Sequence, residues 1–177
     1  MAGSIDEELA PELLIRLWAS GGNLWDKYNQ VTINTPENLK AFHSILNTIK
    51  YCPQSPFETS IQKTVSDFTS GRTAMLVTYT EYAAQISEYI HTNTFGRVGY
   101  GPIPGRTPIS IGWNFGLNPF TARKAQAYQD FDWLYRKNTS YYMTILDGQS
   151  PVIAPYHSHE LLKLYPWLEL TEESFAY

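Results

Sequence analysis

The stretch "VSDFTSGRTAMLVTYTEYAAQI", residues 65–86, constrains the fold more than any other. Ile61, Val65 and Phe68 set a helical stripe that runs up to Gly71. A glycine just past a helix is a natural stop, because it takes the left-handed backbone without a Cβ clash. The next six residues, Thr73–Thr78, form an apolar run of the kind that strands buried on both faces show. A helix feeding a buried strand is the unit of α/β architecture. The strand then ends in Thr78, Tyr79, Thr80, Glu81 and Tyr82, a set of hydrogen-bonding groups and rings that a core does not require.

The rest of the chain repeats the alternation. Leu13, Leu14, Leu17 and Trp18 have helical spacing and lead into Gly21-Gly22. Thr35-Pro36-Glu37 is a helix start: a capping hydroxyl, a proline whose φ suits the first turn, and an acid at the positive end. Leu39, Phe42, Leu46 and Ile49 then make one face of a helix that runs to about Lys50. Pro53 and Pro56 break the chain, and a further helix is expected over Tyr82–Ile90, with Ala83, Ile86 and Ile90 inward. The segment RVGYGPIPG reads as a short strand dissolving into turns, since Pro102 and Pro104 cannot donate to a ladder. ISIGWNFGLNP reads as another strand. The clearest helix follows, with a stripe of Ala127, Phe131 and Leu134 widened by Tyr128 and Tyr135. LDGQSPVIAP reads as loop, and SHELLKLYPWLEL as a helix broken by Pro166. No stretch reads as a linker, so one α/β domain is expected.

Composition narrows the partners. With 177 residues, 43% apolar, the chain can bury a real core. Its net charge of −4 and its lack of a basic run argue against nucleic acid and against an anionic membrane surface. The one cysteine, Cys52, forms no internal disulfide and no metal-binding pattern, which leaves the compartment open. No apolar run approaches a membrane span, and MAGSIDEELAPELL is too acidic for a targeting segment.

Little invites catalysis. His157 and His159 lie two apart, as a metal pair on a strand can, but spacing points to no third ligand, so exposed loop histidines are expected. Asp130 and Asp132 do not share a helix face and read as a solvated flank. Asn138-Thr139-Ser140 is a glycosylation sequon that matters only in a eukaryotic secretory setting. Ser20, Ser66 and Ser110 have no evident base, and no nucleophile-elbow, zinc-protease or P-loop motif occurs. No cofactor and no metal is expected.

Three clusters at element ends remain. They are Trp18–Trp25 around the glycine pair, Thr78–Tyr82, and Gly112-Trp113-Asn114. With 15% aromatic residues, thirteen of them tyrosine, the chain is rich in rings that have an apolar face and a polar handle. Such rings pack on the C–H face of a pyranose, while amides and carboxylates pair with its hydroxyls. A pocket at the carboxyl ends of α/β strands is where such clusters meet; capped loop ends are the plain alternative.

Taken in order, these pieces resemble the family 1 extracellular solute-binding proteins of bacterial ABC transporters, which carry sugars. LWASGGNLWD is similar to that family's Trp-x-x-Gly-Gly segment, and INTPENLKAFHSIL to its Asn-x-Pro-Glu-x-x-x-Ala helix. DFTSGRTAML resembles its Phe-x-x-Gly-Lys-Ala-Ala-Met signature, with Arg72 and Thr73 in place of Lys and Ala. VGYGPIPG, GWNFGLNPFTARKAQAYQDFDWL and GQSPVIAPYH resemble the strand-to-turn, strand-to-helix and proline-loop pieces that follow.

The resemblance implies a periplasmic-binding-protein type II-like lobe, a mixed sheet flanked by helices. It implies that residues 1–177 are one segment, mostly the second lobe, with about 118–150 returning into the first, where this stretch folds back or swaps between copies. It also implies a binding role and no enzyme activity: a sugar or oligosaccharide is bound, the lobes close, and the ligand passes to ABC permease subunits. By position, Trp18, Asn23, Tyr79, Thr80, Glu81, Gly112, Trp113 and Asn114 are the ligand-binding candidates. Location outside the cytoplasmic membrane, as a lipoprotein at the cell surface or in the periplasm, is the family's. The alternatives are a stand-alone lectin-like module and a hydrolase domain using Glu81 with a second carboxylate.

Overall fold

The computed structural model describes residues 9–52, 59–87, 93–112, 114–146 and 149–174. The chain divides into two compact units, Met1–Ile109 and Ser110–Ala176.

The first unit is built on two helices, α1 (Leu9–Ala19) and α2 (Pro36–Ile49). Leu17 of α1 is fully buried, and so is Glu12. The Glu12 carboxylate meets Arg16 one turn on, at 2.6 Å. Arg16 then donates to Ser44 Oγ at 3.1 Å and Thr48 Oγ1 at 3.2 Å, both on α2. One guanidinium thus satisfies a buried acid and crosslinks two helices, a use that suits its fan of donors. The expected α2 face of Leu39, Phe42, Leu46 and Ile49 is displaced around the helix. Asn38 and Ala41 are the buried residues, while Leu39 and Leu46 are exposed. The side of α2 that Arg16 reaches from α1 is the side of Ser44 and Thr48, so the α2 leucines are turned outward. The start of α2 is as expected: Thr35 caps it by accepting from Asn38 N, and Pro36 opens it.

Both glycine stops are observed, with the same geometry. After α1, Gly22 N donates to Leu17 O at 2.8 Å and Gly21 N to Trp18 O at 2.9 Å, with Gly21 at φ +78°. After α3 (Ile61–Thr69), Arg72 N donates to Asp67 O at 2.8 Å and Gly71 N to Phe68 O at 2.9 Å, with Gly71 at φ +80°. Each is a Schellman cap, which satisfies orphan carbonyls at the helix end. In α3, Ile61 and Val65 are buried and Phe68 is half-buried. The buried Asp67 is held by Lys63 and by Arg72 at 3.1 Å.

A turn at 103–106 closes on α1. Arg106 N donates to Ile103 O at 3.0 Å, with Pro104 and Gly105 at the centre. Gly105 lies at φ +90°, which the third position of a type II turn requires. A Cβ on Gly105 would stand 2.4 Å from Ala19 Cβ, so the turn and the helix end touch only because the side chain is missing. Thr107 Oγ1 adds a bond to Ile15 O at 3.0 Å.

The expected sheet is not found. Among the described residues no strand forms, and one isolated antiparallel bridge joins Trp25 to Val31. The run Thr73–Thr78 is not a buried strand: Met75 is 88% exposed. The 98–100 and 109–112 stretches likewise have no ladder. An apolar run becomes a strand only when a neighbour takes its backbone N–H and C=O groups, and none of the described residues does so. The chain turns instead through a 3-10 turn, Thr80–Tyr82, into α4 (Ala83–Ser87), which buries Ala83 and Ile86 as expected. Ile90, Pro53 and Pro56 fall outside the described residues.

The second unit holds α5 (Lys124–Leu134), α6 (Lys137–Ile145), α7 (His159–Leu164) and α8 (Trp167–Ser174). Its core is Tyr156, Leu161, Trp167 and Leu168. Tyr156 OH donates to Ser150 O at 3.0 Å. The break at Pro166 separates α7 from α8, and Tyr165 packs edge-on against Trp167 with centroids 5.1 Å apart. Helix α6 is not foreshadowed by apolar spacing. It buries Thr139, Ser140 and Thr144, and the hydroxyls of Ser140 and Thr144 bond back to carbonyls of their own helix. The apolar stripe of α5 is real as a pattern, yet no residue of α5 is buried.

Candidate functional site

The three clusters have different fates. The first lies at the end of α1. Trp18 is exposed beside the glycine pair. Asn23 opens a loop in which Asp26 Oδ1 accepts from Tyr28 N at 2.8 Å and Gln30 N at 2.9 Å. Asn23 Oδ1 accepts from Leu24 N at 2.8 Å.

The backbone of this loop is fastened from below by Asn38. Asn38 Nδ2 donates to Asn23 O at 2.8 Å and to Thr32 O at 2.6 Å. Asn38 is fully buried, and its Oδ1 has no hydrogen-bond partner. Gly22 lies over that oxygen: a Cβ there would be 2.0 Å from it. Gly21 therefore serves conformation and Gly22 serves space. Sequence reading singled out the glycine pair but not Asn38, whose signal was a polar residue in the first turn of a capped helix.

The second cluster precedes α4. Tyr79 is in extended backbone at φ −77°, ψ 152°, and starts the 3-10 turn without a side-chain cap. Tyr79 and Thr80 are half-buried, and Glu81 is exposed. Just before them, Thr78 Oγ1 is buried without a partner. Further on, Ser87 and Tyr100 share a hydrogen bond, and burial pushes the Tyr100 phenol above its ordinary range.

The third cluster belongs to the other unit. Gly112 and Asn114 are exposed, and Trp113 lies outside the described residues. Clusters one and two thus share a unit, and the third does not.

No metal site assembles: among the described residues no group of three His, Cys, Asp or Glu draws together. His157 instead pairs with Glu172 of α8. Nor is there, among the described residues, a helix long and apolar enough to cross a membrane. Two adjoining creases of about 350 and 390 Å³ lie at the junction of α5 and α6, sharing Trp133, Asn138 and Thr139. They include none of the candidate residues.

The fold has clear counterparts. No protein-family model matches the chain, and no curated protein matches it. Its structural neighbours are ABC-transporter solute-binding proteins, so the chain has the fold of part of such a receptor. One neighbour is the maltose-bound MalE3 protein of T. maritima, 22% identical, with a TM-score of 0.84 over 98% of this chain and 47% of that one. Another is a solute-binding protein from Agrobacterium radiobacter K84 in complex with ribitol, 20% identical, with a TM-score of 0.74 over 93% of this chain and 43% of that one. The chain spans less than half the length of these solved chains.

Proposed function

We infer that this chain serves as the substrate-binding component of an ABC importer, taking a sugar or polyol and delivering it to permease subunits. The observation that carries the reading is the superposition of 98% of the chain on a maltose-bound receptor. The assigned ligand groups are Trp18 and Tyr79 for stacking on a sugar face, and Asn23, Thr80, Glu81 and Asn114 for its hydroxyls. Gly112 and Trp113 complete the set by position. The place of Trp18, Asn23, Tyr79, Thr80 and Glu81 beside helix ends supports this, since binding residues concentrate on loops carried by a rigid scaffold. The role is binding and closure without covalent chemistry, outside the cytoplasmic membrane. The stretch 118–150 is assigned to the first lobe of the receptor, and the division of the chain at Ile109/Ser110 supports a separate reading of the later unit.

Thermal-shift screening of the protein as its gene encodes it provides the test, against maltose, longer maltodextrins, ribitol, amino acids and peptides. A sugar or polyol raises the melting temperature by preferential binding to the folded state. If only amino acids or peptides did so, the sugar assignment would be wrong.

A further inference from the structure

Two of the candidate clusters share the first unit, and residues 100–107 are fastened to the helix beside each of them. At one end, Tyr100 shares a hydrogen bond with Ser87 of α4, the helix that follows Tyr79, Thr80 and Glu81. Ser87 Oγ donates its single proton to Ala83 O at 2.9 Å, so Tyr100 OH is the donor to Ser87 Oγ. At the other end, Thr107 Oγ1 donates to Ile15 O at 3.0 Å, and Gly105 closes on Ala19. Ile15 and Ala19 lie on either side of Trp18 in α1, just ahead of the glycine stop and Asn23.

The segment between these fastenings is stiff. Pro102 and Pro104 each lock their own φ and restrict the residue before them. The turn at 103–106 is closed by its own hydrogen bond, from Arg106 N to Ile103 O. A proline-rich segment acts as a semi-rigid spacer, whereas a flexible one only tethers. Fixed at both ends, such a spacer holds two elements at a set separation.

We propose that residues 100–107 form a strap that sets the Trp18–Asn23 end of α1 against the Tyr79–Glu81 turn, with Tyr100 and Thr107 as its positioning residues. Neither residue needs to touch a ligand. The strap keeps the two clusters at one spacing before anything binds, which reduces the ordering cost of binding. Its effect on affinity rests on the reading of these clusters as a sugar site, whereas its effect on their spacing does not.

Spin labels at the exposed positions Asn23→Cys and Glu81→Cys, in a Cys52→Ser background, measure that spacing by pulsed dipolar spectroscopy without any ligand. Tyr100→Phe and Thr107→Val are each expected to broaden the distance distribution, and the double variant to broaden it most. Tyr156→Phe is the control, since it removes a phenol hydrogen bond from the other unit. It is expected to lower the melting temperature and leave the distribution unchanged. On the unlabelled chain, calorimetric titration with maltose reads the consequence. Kd rises about fivefold in Tyr100→Phe, because only the fraction of chains with the correct spacing binds, and is unchanged in Tyr156→Phe. Distributions as narrow in both strap variants as in the wild type overturn the proposal, even where melting temperatures fall. So does a Tyr156→Phe distribution as broad as that of Tyr100→Phe, or a maltose Kd that Tyr100→Phe leaves unmoved. A wild-type chain that binds no maltose counts against the sugar reading alone, and the distances still decide the strap.

Discussion

Helices α1 and α5 each have eleven residues and an apolar stripe, yet only one of them is anchored. Helix α1 buries Leu17 completely and fixes its register through Arg16, which bonds Glu12 below and Ser44 and Thr48 across. Helix α5 has the larger side chains and buries none. Aromatic content therefore does not decide burial. A complementary surface does, and α1 has one in the hydroxyls of Ser44 and Thr48 on α2. The contrast also shows where a helix is determined locally and where it depends on something beyond itself.

The largest expected effect breaks this contrast at its strong end. Leu17→Ala removes a fully buried side chain and costs about 3 kcal/mol. Leu134→Ala, on the half-buried stripe of α5, costs well under half of that, or about 1 kcal/mol. Urea unfolding followed by far-ultraviolet dichroism compares the two; equal losses would mean that α5 is as well packed as α1.

The glycines sharpen the comparison next. Gly22→Ala drives a Cβ into the buried Asn38 amide and costs about 2 kcal/mol through overpacking. Gly71→Ala meets open space and carries only the left-handed backbone penalty, about 1 kcal/mol. Chemical denaturation midpoints should rank them in that order, and the reverse order would show that Asn38 yields freely.

A loss of similar size or smaller is expected for Asn38→Leu, which replaces the amide donor with an apolar group of like shape. The carbonyls of Asn23 and Thr32 then lose their partner, at about 1–2 kcal/mol. Hydrogen exchange at Leu24 and Gln30 reports whether the loop carrying Asn23 loosens; unchanged protection there would remove Asn38 from the support of that site.

The smallest effect is one of pH. Burial holds the Tyr156 and Tyr100 phenols above their ordinary value. A group whose folded pKa is raised contributes stability that is present below its unfolded pKa and lost above it, so stability should decline from about pH 10 upward. Tyr156→Phe loses about 1 kcal/mol at neutral pH and shows a shallower alkaline decline. A wild-type melting temperature flat across that range would contradict the burial of both phenols.

What could be read from the sequence follows the same division. Thr35-Pro36, the two glycine stops and Pro166 are local signals, and each one marks a helix end in the structure. The strand expected at Thr73–Thr78 is a non-local claim, because a ladder needs a second segment, and no described residue provides it. The face of α2 was misread for a related reason: periodicity finds the large apolar residues, while the packing there uses Ala41, Ser44 and Thr48. Helix α6 escaped because its buried side is made of hydroxyls. Of the three clusters, the first two do lie beside helix ends, as their sequences suggest, whereas Gly112 and Asn114 lie in an irregular stretch because the strand expected there does not form. The role of Asn38 beneath the first cluster was not legible, since an asparagine in a first turn looks like any other.

The contact between Gly105 and Ala19 has a consequence for descent. Two chain segments 86 positions apart share a gap that admits one methyl group and no second one. Across a lineage of such chains 105 stays glycine, held so both by its φ of +90° and by the closeness of Ala19. The pair should therefore vary less than its neighbours, with glycine fixed at 105 and a small residue kept at 19.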